Sequence, residues 1–452
     1  MKQLLLQCFI AFFLFTISFS QKRVAIIGGG IAGVSAAHYL HQFDPTASIT
    51  LFEKEAFLGG NAQTAEVLTN DGRKVMVDVG PQYFAKGPWD DYINFLSETI
   101  GWKNVKYESM DASLVIQKIG KDQPLVATPL NGKFRGEKFS NLLKLKKFNT
   151  AAYKVYKNPE SWKMKTIEDW VESLDFDANY KIEVIYPFLG AALGTSVSEI
   201  KKTAAVEIIS LFAFRKPKAS NQFHIMTDGM GGLIQEVGEV LIDCGVEVKV
   251  SSPVWSVEQK DKQWEITYQE GDLVLGQHFD FVIFAVHADV AASLIKDEFM
   301  LDEVKAILQN FTYFDAQIVI HQDTNFIQNS KPAFLNIFTN TDNELVFTTM
   351  NLSMISNRTN GIYKSWLNAK DTEFLESKNA ILHQQLFHHP MITTDFVKYL
   401  SKLKEIVSKH PQLEVIGGWT EGLETQNSAV LSARRAVESY KKYFKTIIST
   451  VE

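Results

Sequence analysis

The chain has 452 residues, too long for one ordinary core, so two domains or one elaborated α/β domain are expected. Hydrophobic residues make up 46% and charged residues 22%, a globular balance. A net charge of −6 gives no electrostatic reason for nucleic-acid binding, and none is expected.

In chain order, the first twenty residues stand apart. Lys2 precedes an apolar run from Leu4 to Phe19, and Ser18 and Ser20 place small residues before Gln21. This is the pattern of a secretory signal peptide over residues 1–20, with an uncleaved membrane anchor as the alternative. Export through it predicts a periplasmic, extracellular or lumenal protein. Cleavage would remove Cys8 and leave only Cys244, so no internal disulfide is expected.

Arg23-Val24-Ala25-Ile26-Ile27 then reads as a buried parallel strand. It leads into Gly28-Gly29-Gly30-Ile31-Ala32-Gly33 and a helical run from Val34 to Leu40. Gly28 serves the tight turn, Gly30 the approach of a pyrophosphate, and Gly33 close helix–strand packing. The N–H groups at Ile31, Ala32 and Gly33 open the helix and favour an anion. A second strand, Ser48–Phe52, ends at Glu53, an acid placed to accept hydrogen bonds from ribose hydroxyls and to disfavour a 2′-phosphate. Together these elements predict a dinucleotide site.

Glu53-Lys54-Glu55-Ala56-Phe57-Leu58-Gly59-Gly60-Asn61-Ala62-Gln63-Thr64 resembles the extended motif of the FAD-dependent amine oxidase-like superfamily. Most members carry arginine after the glycine pair, where this chain has Asn61. Val77-Asp78-Val79-Gly80-Pro81-Gln82-Tyr83 resembles the superfamily's next landmark, where backbone passes close to the flavin ring. The resemblance implies FAD contacts from Lys54, Gly60, Asn61 and Gln82.

Residues 89–102 read as an amphipathic helix, and residues 141–218 as mostly helical with many lysines from Lys144 to Lys165. Acids in the same stretch make a solvated helix face the better reading of those lysines, with membrane contact as the alternative. Strand and helix patterns return from Thr227 to His287, where the resemblance implies an adenine contact from the backbone of Val254. Runs at Tyr313–His321, Ala333–Phe338 and Glu344–Met350 suit antiparallel strands, and Asn427–Phe444 suits a final helix. The expected fold class is α/β. A Rossmann-like FAD-binding domain with a parallel sheet would use residues 22–100, 222–300 and 405–445. An α+β substrate domain with a mixed or antiparallel sheet would use residues 101–221 and 301–404.

Within the superfamily the chain looks like the bacterial NAD/FAD-binding proteins associated with cyclopropane fatty acid synthesis. Phe281–Asp289, Val319–Asp323, Met350–Leu352 and Phe387-His388-His389-Pro390 carry that likeness. A second likeness is to prenylcysteine oxidases, which also run from a signal peptide straight into the fingerprint. The resemblance implies non-covalent FAD and hydride transfer from a small, mostly apolar, amine-like or lipid-like substrate to flavin N5. His388 and His389 are the candidates for proton handling, with His321 a third and a structural role the competing reading for each. No metal-ligand cluster stands out. A flavin-binding protein without turnover is the alternative from a different class.

Overall fold

The computed structural model describes residues 21–85, 89–130, 133, 139–212, 223–227, 229–296, 301–328, 331–367 and 380–451. The expected signal peptide lies outside the described residues.

The chain begins with β1 (Arg23–Ile27), α1 (Ile31–Phe43) and β2 (Ser48–Phe52). A hairpin of β3 (Thr64–Leu68) and β4 (Lys74–Asp78) follows, then β5 (Phe84–Ala85) and α2 (Asp90–Ile100). β6 (Tyr107–Met110), β7 (Leu114–Lys118) and β8 (Val126–Ala127) lead to a helical stretch that opens with α3 (Phe139–Lys157). The chain returns through β9 (Phe223–Met226), α4 (Met230–Asp243) and β10 (Glu247–Lys249). A three-stranded meander, β11 (Val254–Lys260), β12 (Gln263–Glu270) and β13 (Leu273–Phe279), precedes β14 (Phe281–Phe284) and α5 (Ala288–Leu294). The last part holds α6 (Asp302–Leu308), β15 (Tyr313–His321), β16 (Leu335–Thr339), β17 (Leu345–Asn351), β18 (Tyr363–Leu367) and β19 (Ile381–Pro390). It closes with α7 (Thr394–Val407), β20 (Leu413–Val415) and α8 (Gln426–Val451).

β10, β2, β1, β14 and β20 form a wholly parallel sheet in that order. Its apolar runs are near-continuous because both faces are covered. Val24 and Ile26 face one way and pack with Val34 and Leu40 of α1, Leu233 of α4 and Val430 of α8. Ala25 and Ile27 face the other way and pack with Val257 and Ile266 of the meander and Phe396 of α7. The period-two alternation of the strand thus feeds two separate cores.

The second sheet has seven strands in the order β19-β15-β18-β17-β16-β7-β8. Its pairs are antiparallel except for β16 with β7, so the sheet is mixed, as the sequence led us to expect. The helical stretch covers it: Ile116 and Ile337 pack with Trp170, Leu189 and Ile208. The lysines of α3 are balanced locally, with Lys144 on Asp177 at 2.7 Å and Lys147 on Asp175 at 2.7 Å. Cys244 is free and exposed. Among the described residues no helix is long and apolar enough to cross a membrane.

Candidate cofactor and redox site

The fingerprint turn sits where β1 ends and α1 begins, at the carboxyl edge of the parallel sheet, where such sheets bind ligands. A Cβ on Gly33 would lie 1.9 Å from the Gly28 carbonyl oxygen, so only glycine allows α1 to approach β1 this closely. Gly30 is different. A Cβ there would meet nothing nearer than the Gly60 Cα at 3.7 Å, so the space above it is open.

α1 has no side-chain cap at Gly30 and no acid in its first turn. Its first N–H groups, at Ile31, Ala32 and Gly33, therefore need an outside partner, and a phosphate supplies one. The start of α8, by contrast, is closed by its own side chain, since the Ser428 N–H donates to Thr425 Oγ1 at 3.0 Å.

The second glycine pair is tied to the first loop. The Gly59 N–H donates to the Gly29 carbonyl at 2.8 Å, and a Cβ on Gly60 would come within 3.1 Å of the Gly30 Cα. Asn61 follows half-buried, and its carbonyl sits so close to Gly80 that a Cβ there would lie 1.7 Å away. The missing arginine thus leaves the backbone path intact.

Glu53 is buried at the end of β2. Its Oε2 accepts from the Gly29 N–H at 2.7 Å and its Oε1 from the Glu55 N–H at 2.9 Å. Each carboxylate oxygen keeps a lone pair for a sugar hydroxyl. The backbone before β11 is stitched to the same place, with Ser252 N–H on the Glu53 carbonyl and Ser251 N–H on that of Glu55, both at 2.8 Å. Val254 is brought beside Glu53 this way. Lys54 stands in solvent next to Glu55 at 3.6 Å, with 73% of its side chain exposed.

Gln82 is buried, and it leads to a residue the sequence reading missed. Its Oε1 accepts from the ammonium of Lys364 on β18 at 3.3 Å. Lys364 also donates to the Asp78 carbonyl at 2.9 Å and to the carbonyl of Gly80. Burial pulls its pKa down to about 7, against the opposing pull of the Asp78 carboxylate. Asp78 is itself raised by burial. Its Oδ1 accepts from Thr64 Oγ1 at 2.6 Å and from the Met230 N–H at the start of α4 at 2.8 Å. This network ties the segment between Asp78 and Gln82 to the mixed sheet and to the start of α4. A lysine inside the apolar strand Tyr363–Leu367 was the signal that could have found it.

The predicted histidines separate. His321 is fully buried, with Nε2 on Ser365 Oγ at 2.8 Å and Nδ1 on the Asp323 N–H at 3.1 Å. Burial lowers its pKa to about 4, so it is a neutral packing residue of the mixed sheet. His388 and His389 are neighbours on β19 and take different partners. His388 is exposed, stacked on Tyr313 at 4.6 Å, with Nδ1 2.8 Å from Asp315. His389 Nδ1 lies 3.2 Å from Glu424, whose other oxygen is 3.3 Å from His287 Nε2. Neither His287 nor Glu424 was a site candidate from the sequence, where 137 residues separate them.

The chain is similar to several known proteins. Residues 26–98 match the family described as the NAD(P)-binding Rossmann-like domain. Coproporphyrinogen III oxidase of Staphylococcus aureus is 41% identical over 63 residues, 14% of this chain and 12% of that protein. The aligned part thus spans only about an eighth of that curated relative. Among solved structures, a CLA-producing fatty acid isomerase from P. acnes superposes with a TM-score of 0.66 at 13% identity. It is matched over 94% of this chain and 99% of the isomerase. Cyclohexylamine oxidase from Brevibacterium oxydans IH-35A gives 0.60 at 14% identity, over 94% of this chain and 100% of the oxidase.

The chain has the fold of these two enzymes. End-to-end coverage decides this, since the Rossmann-like match alone stops at residue 98. In this fold the parallel sheet carries the nucleotide fingerprint, and Lys364 of the mixed sheet bonds the segment from Asp78 to Gln82 that follows the β3–β4 hairpin.

Proposed function

We propose that this protein is an FAD-dependent oxidoreductase acting on a mostly apolar, amine-like or lipid-like small molecule. The observation that carries the reading is the uncapped start of α1 beneath the open space at Gly30, with the Gly59-Gly60 backbone bonded alongside. That cradle fits a pyrophosphate, and Glu53 fits the ribose hydroxyls. Two of the similar structures are named for oxidation of cyclohexylamine and for isomerisation of a fatty acid, which supports a substrate with a large apolar part.

FAD, when bound, supplies an acceptor for a hydride at its N5. The chain's own part is to bind and orient. The N–H groups of Ile31, Ala32 and Gly33 hold the pyrophosphate, and the contacts assigned to Lys54, Gly60, Asn61, Gln82 and Val254 fix the rest. Lys364 locks the backbone from Asp78 to Gln82. Around that segment Tyr83, Phe223 and Phe334 pack ring to ring, with Tyr83 5.1 Å from Phe223, which keeps water away. His389 is placed to handle a proton. FAD is held non-covalently, and export proceeds through residues 1–20, giving a mature chain that starts at Gln21.

Purified protein tests the reading directly. It should be yellow with flavin absorbance, and it should release peroxide with some member of a panel of amines, prenylcysteine and unsaturated fatty acids. A colourless preparation that takes up no added FAD would overturn it. Bound flavin that no panel member bleaches would instead favour a non-catalytic flavin-binding protein.

A further inference from the structure

His287, Glu424 and His389 meet from three places in the fold. His287 caps α5 at the end of β14, and Glu424 lies in the loop that enters α8. His389 sits near the end of β19 in the mixed sheet. β14 is the direct neighbour of β1, so His287 stands on the same carboxyl edge as the fingerprint. The Ala285 carbonyl two residues earlier would lie 2.5 Å from a Cβ on Gly28. The three side chains keep 22%, 21% and 30% of their surface exposed, so they reach solvent rather than lying sealed in a core.

Glu424 holds both imidazoles. Its Oε1 lies 3.3 Å from His287 Nε2 and its Oε2 3.2 Å from His389 Nδ1. One carboxylate balances one cation fully. The carboxylate is held down at about 2 by its hydrogen bonds to the two imidazoles, and His287 is raised by it against its own burial. Glu424 thus serves two imidazoles at once, and the second is that of His389. Its Nδ1–H donates to Glu424, which leaves Nε2 free as a base, with Phe314 and Phe387 beside the ring at 5.8 and 6.1 Å.

The other charged and titratable groups around the cluster are accounted for. Asp289 of α5 and Asp315 of β15 both lie on His388, at 3.6 and 2.8 Å. Asp289 adds to the pull on His287, and Lys54 opposes it. Tyr313 accepts the Ala288 N–H through its hydroxyl at 2.7 Å and is pushed up by burial. It stays neutral.

We propose that His389, oriented by Glu424 and backed by His287, holds the proton released when substrate is oxidised at the flavin. This rests on the reading of the protein as a flavin oxidoreductase. The balance is simple. A substrate H–C–X–H loses the C–H electron pair as hydride to the oxidised flavin, forms C=X, and gives the X–H proton to His389 Nε2. The imidazolium would then be held on Glu424, and the hydride's electron pair would reside on the flavin.

The test needs no substrate. The FAD-loaded protein is titrated to full reduction with dithionite at a series of pH values, and the midpoint potential is followed. Around neutrality the potential should fall with pH as for two protons per electron pair, one more than an anionic reduced flavin takes alone. His389→Gln should remove the second proton at every pH. Glu424→Gln should move the pH at which it is lost downward by about one unit or more, as loss of an opposing charge at contact distance does. A wild-type line with one proton throughout, or a His389→Gln line identical to wild type, would overturn the proposal. If His389→Gln fails to fold, the wild-type and Glu424→Gln lines still decide. A colourless protein that takes up no FAD overturns the functional reading and this proposal together, whereas a yellow protein with a one-proton line overturns this one alone.

Discussion

Adding a side chain to Gly30 should separate cofactor binding from folding, and adding one to Gly33 should not. Gly30 has φ −71° and ψ 179°, an extended conformation that any residue adopts. Its added Cβ has 3.7 Å of clearance, so Gly30→Ala carries no steric penalty in the FAD-free fold. Reduced unfolded-state entropy would even stabilise it by about 0.4–1 kcal/mol. The same methyl points into the space assigned to the pyrophosphate. A loss of FAD affinity of about 100-fold or more is expected, roughly 2.8 kcal/mol, and Gly30→Val should yield apoprotein. Gly33→Ala places its Cβ 1.9 Å from a backbone oxygen that cannot step aside. It should cost about 1–3 kcal/mol of stability in the FAD-free protein. Denaturant melts of apoprotein and fluorescence titration with FAD read the two effects separately. If Gly30→Val retains full FAD, the loop does not hold the pyrophosphate. If Gly30→Ala destabilises the apoprotein as much as Gly33→Ala does, the open space inferred above Gly30 is wrong.

Lys364→Met strands the carbonyls of Asp78 and Gly80 and the amide of Gln82, and should destabilise the apoprotein by about 1–3 kcal/mol in urea melts. Lys364 has a folded pKa near 7 against an ordinary 10.5, so between these values the unfolded chain binds the extra proton. Its contribution therefore rises with pH across that window and falls as pH drops toward 7, a slope that Lys364→Met should abolish. Glu424, held at about 2 against an ordinary 4.5, contributes stability that is lost as pH falls through that lower window. Acid titration of Glu424→Gln should lack that loss. Asn61→Arg restores a cation beside the glycine pair, and calorimetry should show FAD binding tightened by about tenfold through one charge-assisted hydrogen bond. Mass spectrometry of protein secreted by the native host should find Gln21 at the amino terminus, and an intact Met1 would argue for an anchor.

Much of the nucleotide half was legible because its signals are local. A strand buried on both faces must be apolar throughout, as Val24–Ile27 is, and a helix jammed against it must have glycine where Gly33 meets Gly28. Glu53 follows directly from the end of β2. The mixed sheet was legible as strands from period-two runs at Tyr313–His321 and Glu344–Met350, but not in its order. The parallel pairing of β16 with β7 joins segments more than two hundred residues apart. Nothing in either strand announces its neighbour, because backbone hydrogen bonds do not read side chains.

The histidines show the same division. The sequence placed His388 and His389 side by side and could not choose between them. Only packing gave one of them the carboxylate of Glu424 and left the other stacked on Tyr313 in solvent. His321 looked like an equal candidate until burial left it neutral against Ser365. Lys364 carries an ordinary charge in the sequence; enclosure in the sheet and three oxygen acceptors make it a group that titrates near neutrality. What the sequence determined by itself was therefore the steric part of the molecule: the fingerprint, its glycines and the alternation that builds two cores around one sheet. What the tertiary structure decided was the electrostatic part, because desolvation and charge pairing depend on which distant segments meet.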